Sequence, residues 1–141
     1  MDSGGYRGYV SSRPIQDNRV PQHVQNLVIR DHAARLGLPY RLSAVEYCMD
    51  RCHMMLRQVL DELATLDGII FYSLFQLPVR SDARLAVYDR ILAAGATGHF
   101  AVERLAVADA DDVARLEDIW HVQQAVPLCP TVIPQAAATW R

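Results

Sequence analysis

Two serines and an arginine stand together at Ser11, Ser12 and Arg13, directly after an apolar run. A second arginine follows at Arg19, two residues before Pro21. Hydroxyls beside a fixed cation suit a ligand that is anionic or rich in hydroxyl groups. The guanidinium forks onto a phosphate or carboxylate, and the hydroxyls hydrogen-bond what remains. A serine so placed can also attack an electrophile. Attack needs a base, and no Ser-His-Asp order can be asserted here. The serines therefore read more as ligand holders than as nucleophiles. A proline at the start of the following helix leaves N–H groups free to receive an anion beside Arg13 or Arg19.

Two carboxylates offer acid–base chemistry. Glu46 follows a predicted strand and is flanked by Val45 and Tyr47, and Glu103 lies near the end of another. Paired carboxylates divide into acid and base when their surroundings push their pKa values apart. Tyr72 or Tyr47 would donate to a developing oxyanion. The catalytic candidates are thus Glu46, Tyr72, Glu103 and Ser11. Candidate ligand contacts are Ser12, Arg13, Arg19, Tyr47, Ser73 and Gln76. Gln22, Asn26 and Arg30 continue from Arg19 as one polar helical stripe, with His23 beside it; a solvated helix face is the alternative. His99 joins the contacts, with a satisfied core histidine as the other reading.

Composition removes several mechanisms. Every cation is arginine and there is no lysine. Schiff-base chemistry, a pyridoxal-phosphate linkage and a P-loop lysine are excluded. No GxGxxG follows the first strand, so a nicotinamide site is not expected, and no cofactor is. Cys48 and Cys52 are four apart with His53 adjacent, but no second pair exists and Cys129 stands alone. That pattern predicts neither a zinc site nor a disulfide framework. The formal net charge of −2 offers nucleic acid no basic surface. The longest apolar run is far shorter than the ~20 residues that span a bilayer, and no secretion signal opens the chain. A cytoplasmic protein without a membrane segment is expected.

The elements that must hold these residues follow from periodicity. Residues 1–5 read as a flexible terminus, 6–125 as one α/β domain, and 126–141 as a Pro-rich arm on the domain itself or on a second subunit. Strands are predicted at 6–11, 39–44, 68–75 and 99–105. Helices are predicted at 20–36, 52–65, from a Ser81 cap to a stop at Gly95, and from an Asp109 cap onward. The third helix would bury Leu85, Tyr88, Ile91 and Leu92; the fourth would bury Val113, Leu116, Ile119 and Trp120. Four strand–helix alternations predict a four-stranded parallel sheet in a three-layer αβα sandwich, strand order 2-1-3-4, flavodoxin-like. The ligand crevice of such a sheet lies beyond the carboxyl ends of strands one and three. So short a sheet, with an exposed fourth helix, also predicts a homo-oligomer.

Several phrases carry a family resemblance. Tyr9-Val-Ser-Ser-Arg-Pro14, the run from Asn18 to Asp31, Leu42-Ser-Ala-Val-Glu-Tyr47, and the run from Asp67 to Pro78 resemble those of sporadic carbohydrate cluster proteins. The likeness covers about residues 6–105. It implies a role in making or tailoring a sugar, a glycan or a sugar-containing metabolite. A more distant likeness is to the catalytic domain of serine recombinases, with Ser11 or Ser12 at the corresponding strand end. That likeness implies a resolvase-like fold. It stops short of strand exchange, because the arginine cluster around the serine is missing and no DNA-binding segment is expected after residue 125. The leading expectation is an enzyme that isomerises, epimerises or eliminates on a sugar phosphate or nucleotide sugar. The alternatives are an N-glycosidase or glycosyl-transferring enzyme using Glu46 or Glu103, and a non-catalytic ligand-binding or scaffold subunit.

Overall fold

The computed structural model describes residues 4–47 and 53–126. Cys48, Cys52, Cys129 and the segment 127–141, on which a metal site and a C-terminal arm were considered, lie outside the described residues.

The chain alternates strand and helix: β1 (Tyr6–Ser11), α1 (Gln22–Leu36), β2 (Tyr40–Glu46), α2 (Met54–Asp61), β3 (Gly68–Phe71), α3 (Ser81–Ala93), β4 (Thr97–Phe100), β5 (Leu105–Val107) and α4 (Ala110–Ala125). Two short 3-10 turns, Leu63–Thr65 and Leu74–Gln76, flank β3. The sheet order is β2-β1-β3-β4-β5. The β1–β2, β1–β3 and β3–β4 pairs are parallel and β4–β5 is antiparallel. The architecture is therefore α/β with a mixed sheet.

The expected four-stranded, wholly parallel sheet needs correcting at its far edge. The predicted fourth strand, 99–105, is two strands joined by a turn. Arg104 sits at φ 56°, a left-handed conformation that reverses the chain. The Glu103 carboxylate reaches back to the Leu74 N–H and the Ser73 hydroxyl, at 2.8 Å each, and fixes the turn. β5 then returns along β4 with Phe100 opposite Leu105 and Gly98 opposite Val107.

Strand periodicity sends alternate residues to opposite faces. Tyr9, Ile69, Phe71 and Phe100 enter the larger core, closed by Leu56, Val59 and Leu60 of α2, by Val87, Tyr88 and Ile91 of α3, and by Leu116 and Trp120 of α4. Val10 and Ile70 face the other way, onto Ile29 and Ala33 of α1. Three helices thus cover one face and α1 alone covers the other. Gly68 begins β3 where a Cβ would run into the Thr97 carbonyl, so the strand can approach β4 only with glycine there.

Some helix ends follow local rules and others do not. Gly37 ends α1 at φ 67°, in the left-handed conformation a helix stop favours. Asp109 caps α4 by accepting from the Asp112 N–H. Ser81, expected to cap α3, is instead its first residue; Arg80 holds the cap position and no side chain fills it. The buried face of α3 is also rotated from expectation: Arg84 and Val87 are inside and Leu85 is 39% exposed.

Candidate functional site

The carboxyl ends of β1 and β3 are joined by an internal amide network. Gln25 of α1 is fully buried and receives the Ser11 N–H at 3.0 Å. Its amide nitrogen donates to the Ser11 carbonyl at 2.7 Å and to the Val20 carbonyl at 2.8 Å. Gln76 donates to the Ser11 hydroxyl and to Gln25 Oε1, both at 3.1 Å, and accepts the Ser73 N–H at 3.2 Å. Ser73 Oγ then donates to Glu103. Buried polar groups require such partners, and here each partner also ties a different element to the β1 end.

A second network holds the β2 end. Glu46 is buried and accepts from the Tyr9 hydroxyl at 2.9 Å. It also accepts the Met55 and Leu56 N–H groups in the first turn of α2. The cap residue of α2, His53, contributes no side-chain cap, so Glu46 closes that helix end from a neighbouring strand, where the dipole favours an anion. The Arg13 guanidinium donates to the Tyr9 hydroxyl at 3.1 Å. Burial raises the Tyr9 phenol far above its ordinary value; the Arg13 charge opposes the shift and the Glu46 charge adds to it. The phenol therefore stays protonated and passes a hydrogen bond from cation to anion.

Both carboxylates are thus committed to backbone N–H groups, Glu46 at α2 and Glu103 at the 3-10 turn. Neither lines the groove described below. Tyr72 lies half-buried beside Glu103; burial first, and then the Glu103 charge, raises its phenol, which is neutral at neutral pH.

Beyond these networks a groove of about 880 Å³ opens between α2 and α3. It begins at Arg13, Pro14 and Gln76, next to the strand ends, and continues between the two helices. Leu56 and Leu60 of α2, Val87 of α3, and Leu77 give it an apolar surface. Arg57, Arg80 and Arg90 join Arg13 around it, and among the described residues no carboxylate lines it. Arg80 pairs with Asp82 at 2.7 Å and Arg90 with Asp61 at 2.7 Å, both pairs exposed.

The structure brings Ser11, Ser73, Gln76 and Glu103 into one network, and Arg13 and Glu46 into the other. Ser12 joins them through its N–H and hydroxyl, both donating to the Glu46 carbonyl. Arg13 and Gln76 reach the groove. The α1 stripe goes elsewhere: Asn26 accepts from Tyr40 Oη at 3.4 Å and Arg30 lies over the Tyr40 ring. Arg19 and His23 are exposed, Gln22 is half-buried, and none of the three lines the groove. Tyr47 is 72% exposed. His99 is on the α1 face of β4, 3.2 Å from His32 Nε2 and edge-on to Tyr6. Burial first and His32 second lower His99 to about 4; burial first, and then the Arg35 charge, lower His32. The pair is neutral at neutral pH.

Reading by residue type missed Gln25, Arg57, Arg80 and Arg90. Gln25 had a usable signal. It sits four before Ile29 and eight before Ala33, on the buried face of α1, and a buried glutamine demands partners. The three arginines had none, because only the approach of α2 to α3 groups them.

No family model, curated protein or solved structure matches this chain.

Proposed function

We propose that the α2–α3 groove is the ligand site, and that the protein binds a phosphorylated, sugar-bearing small molecule there. The observation that carries this reading is the groove's lining: Arg13 and Arg80 near the strand carboxyl ends, Arg57 and Arg90 along the helices, an apolar surface between them and, among the described residues, no carboxylate. Guanidinium groups recognise phosphate oxygens by paired, charge-assisted hydrogen bonds. The sugar component comes from the resemblance of the Tyr9–Pro14 and Asp67–Pro78 phrases to sporadic carbohydrate cluster proteins.

Binding is better supported than acid–base catalysis. Glu46 would have to release the first turn of α2 to take a substrate proton, and Glu103 would have to release the Ser73–Leu74 turn. Ser11 is buried, and its oxygen accepts from the Gln76 amide, which is not a base. The N-glycosidase reading needs the same carboxylates as nucleophiles and meets the same obstacle.

Calorimetry with glucose 1-phosphate, UDP-glucose and glucose tests the proposal. The phosphorylated compounds bind, more weakly as salt rises, and Arg57→Ala weakens them; glucose does not bind. Equal binding of glucose and glucose 1-phosphate would sink it. Turnover of either phosphorylated compound that Glu46→Gln abolishes would return the catalytic reading to first place.

A further inference from the structure

We infer that the groove's ligand is a single-chain lipid phosphate: the phosphate sits at the Arg13–Arg80 end and the hydrocarbon lies along the seam between α2 and α3. The inference rests on the anion-binding part of the reading above, the phosphate, and sets a hydrocarbon chain where that reading has a sugar.

The polarity of the groove changes along its length. α2 and α3 both start near the strand carboxyl ends, where Arg13, Gln76 and Arg80 gather, with Arg57 one turn along α2. From Arg80 to Arg90 the α3 wall runs ten residues, roughly 15 Å at the helical rise. Between those arginines, α3 presents Ala83, Ala86 and Val87 to the groove, and α2 presents Leu56 and Leu60 around Arg57. Past His53 at the start of α2, that strip offers among the described residues no hydrogen-bonding side chain other than Arg57. A second sugar ring or a nucleobase laid there would leave its polar edges unpaired, at a cost. A hydrocarbon chain meets no such penalty and gains from leaving water.

Residue size agrees with polarity. Ala83 and Ala86 keep the groove face of α3 low, whereas Arg84, Tyr88 and Ile91 fill its other faces. Arg90 and Asp61 bridge α3 to the end of α2 at the far limit. The space suits one chain, and its volume is that of an ordinary small-ligand site. Arg13 and Arg57 suit a negative head, among the described residues no carboxylate lines the groove, and Arg80 joins them by exchanging its exposed pair with Asp82 for the phosphate.

Geranyl phosphate, glucose 1-phosphate, UDP-glucose and geraniol, each titrated into the full chain by calorimetry, test the inference. Geranyl phosphate is expected to bind about a hundredfold more tightly than glucose 1-phosphate, since every methylene removed from water adds affinity. Geraniol binds weakly for want of the head. Ala86→Leu lowers the geranyl phosphate affinity severalfold, and Ala86→Trp brings it down to that of glucose 1-phosphate. The melting temperature of both variants stays as in the parent. Equal affinity for geranyl phosphate and glucose 1-phosphate, both weakened by Arg57→Ala, overturns the lipid chain and leaves the anion site standing. Tighter binding of UDP-glucose than of geranyl phosphate has the same meaning. Binding of none of the phosphorylated compounds overturns both readings together.

Discussion

On one side of α3, Arg84 is fully buried and forks onto Glu117 of α4 at 2.6 and 2.7 Å. Its third nitrogen donates to the Pro78 and Val79 carbonyls, and its Cζ lies 4.2 Å from the centre of the Trp120 ring. Tyr88 donates to the same carboxylate, and Trp120 packs edge-on against Phe75. On the other side of α3, Arg57, Arg80 and Arg90 border an open groove with alanines at its wall. One helix thus has a seam whose cation is paired in the interior and a seam whose cations lie at the surface, Arg80 and Arg90 in exposed ion pairs. The first fixes where α3, α4 and the Pro78–Val79 loop stand. The second can stay open because the first already holds α3 in place. Phe75 belongs to both: it packs on Trp120 and lines the groove.

The largest expected effect comes from breaking the closed seam. Glu117→Ala leaves the Arg84 charge buried without its partner, and such losses cost about 3–5 kcal/mol. The urea midpoint should fall accordingly. The pH dependence gives a second handle. The Arg84 hydrogen bonds hold the Glu117 carboxyl below its ordinary value of 4.5. A depressed folded-state pKa gives stability that is complete above the unfolded value and lost as pH falls through the folded one. The parent should therefore lose stability below about pH 4.5, and Glu117→Gln should flatten that limb.

A smaller effect separates this face from the one that α1 covers. His32 and His99 are held neutral there, with His99 lowered to about 4. The groups facing the pair include Tyr6 beside His99, and Asp31, Arg35 and Arg104 near His32. Here the sign is that of a lowered base: the unfolded chain takes up protons that the folded chain refuses, so stability drops as pH falls from 6.5 towards 4. His99→Phe should remove part of this mild-acid limb and leave the limb below pH 4.5 intact. Urea midpoints between pH 7 and pH 3 would show the two limbs separately. Loss of both limbs in Glu117→Gln would mean that the two faces do not titrate independently.

The closed and open seams were unequally legible in the sequence. Helix periodicity located all four helices, and Gly37 and Asp109 marked two ends by local backbone chemistry that needs no tertiary context. The order 2-1-3-4 follows from chain connectivity and survives within the five-stranded sheet. The β4–β5 turn did not show, because Arg104 is not a residue type that announces a left-handed conformation. The burial of Arg84 did not show for a related reason: an arginine is ordinarily exposed, and only Glu117, 33 positions away, makes its burial tolerable. The candidate site fared the same way. Ser11, Gln76 and Arg13 were found from the strand-end rule, which is topological. The glutamates were given chemistry because sequence shows that a carboxylate is near a strand end. It does not show that a helix N-terminus will arrive to occupy it.

The smallest effect on stability is expected in the open seam, and it completes the contrast. The Arg57 side chain is exposed, and no ion pair to it is formed among the described residues. Truncating it removes no internal partner, so Arg57→Ala should shift stability by no more than about 0.5 kcal/mol. Arg80→Ala should do little more, because its exposed pair with Asp82 is of the kind that contributes about 0–1 kcal/mol. Each change should nonetheless weaken geranyl phosphate binding by roughly tenfold, the loss of one charge-assisted contact. Glu117→Gln, in contrast, should alter folding far more than it alters binding in protein that remains folded. Thermal denaturation and calorimetry on the same three variants decide the matter. If Arg57→Ala lowers the melting temperature as much as Glu117→Gln does, both seams serve the fold and the groove has no separate purpose.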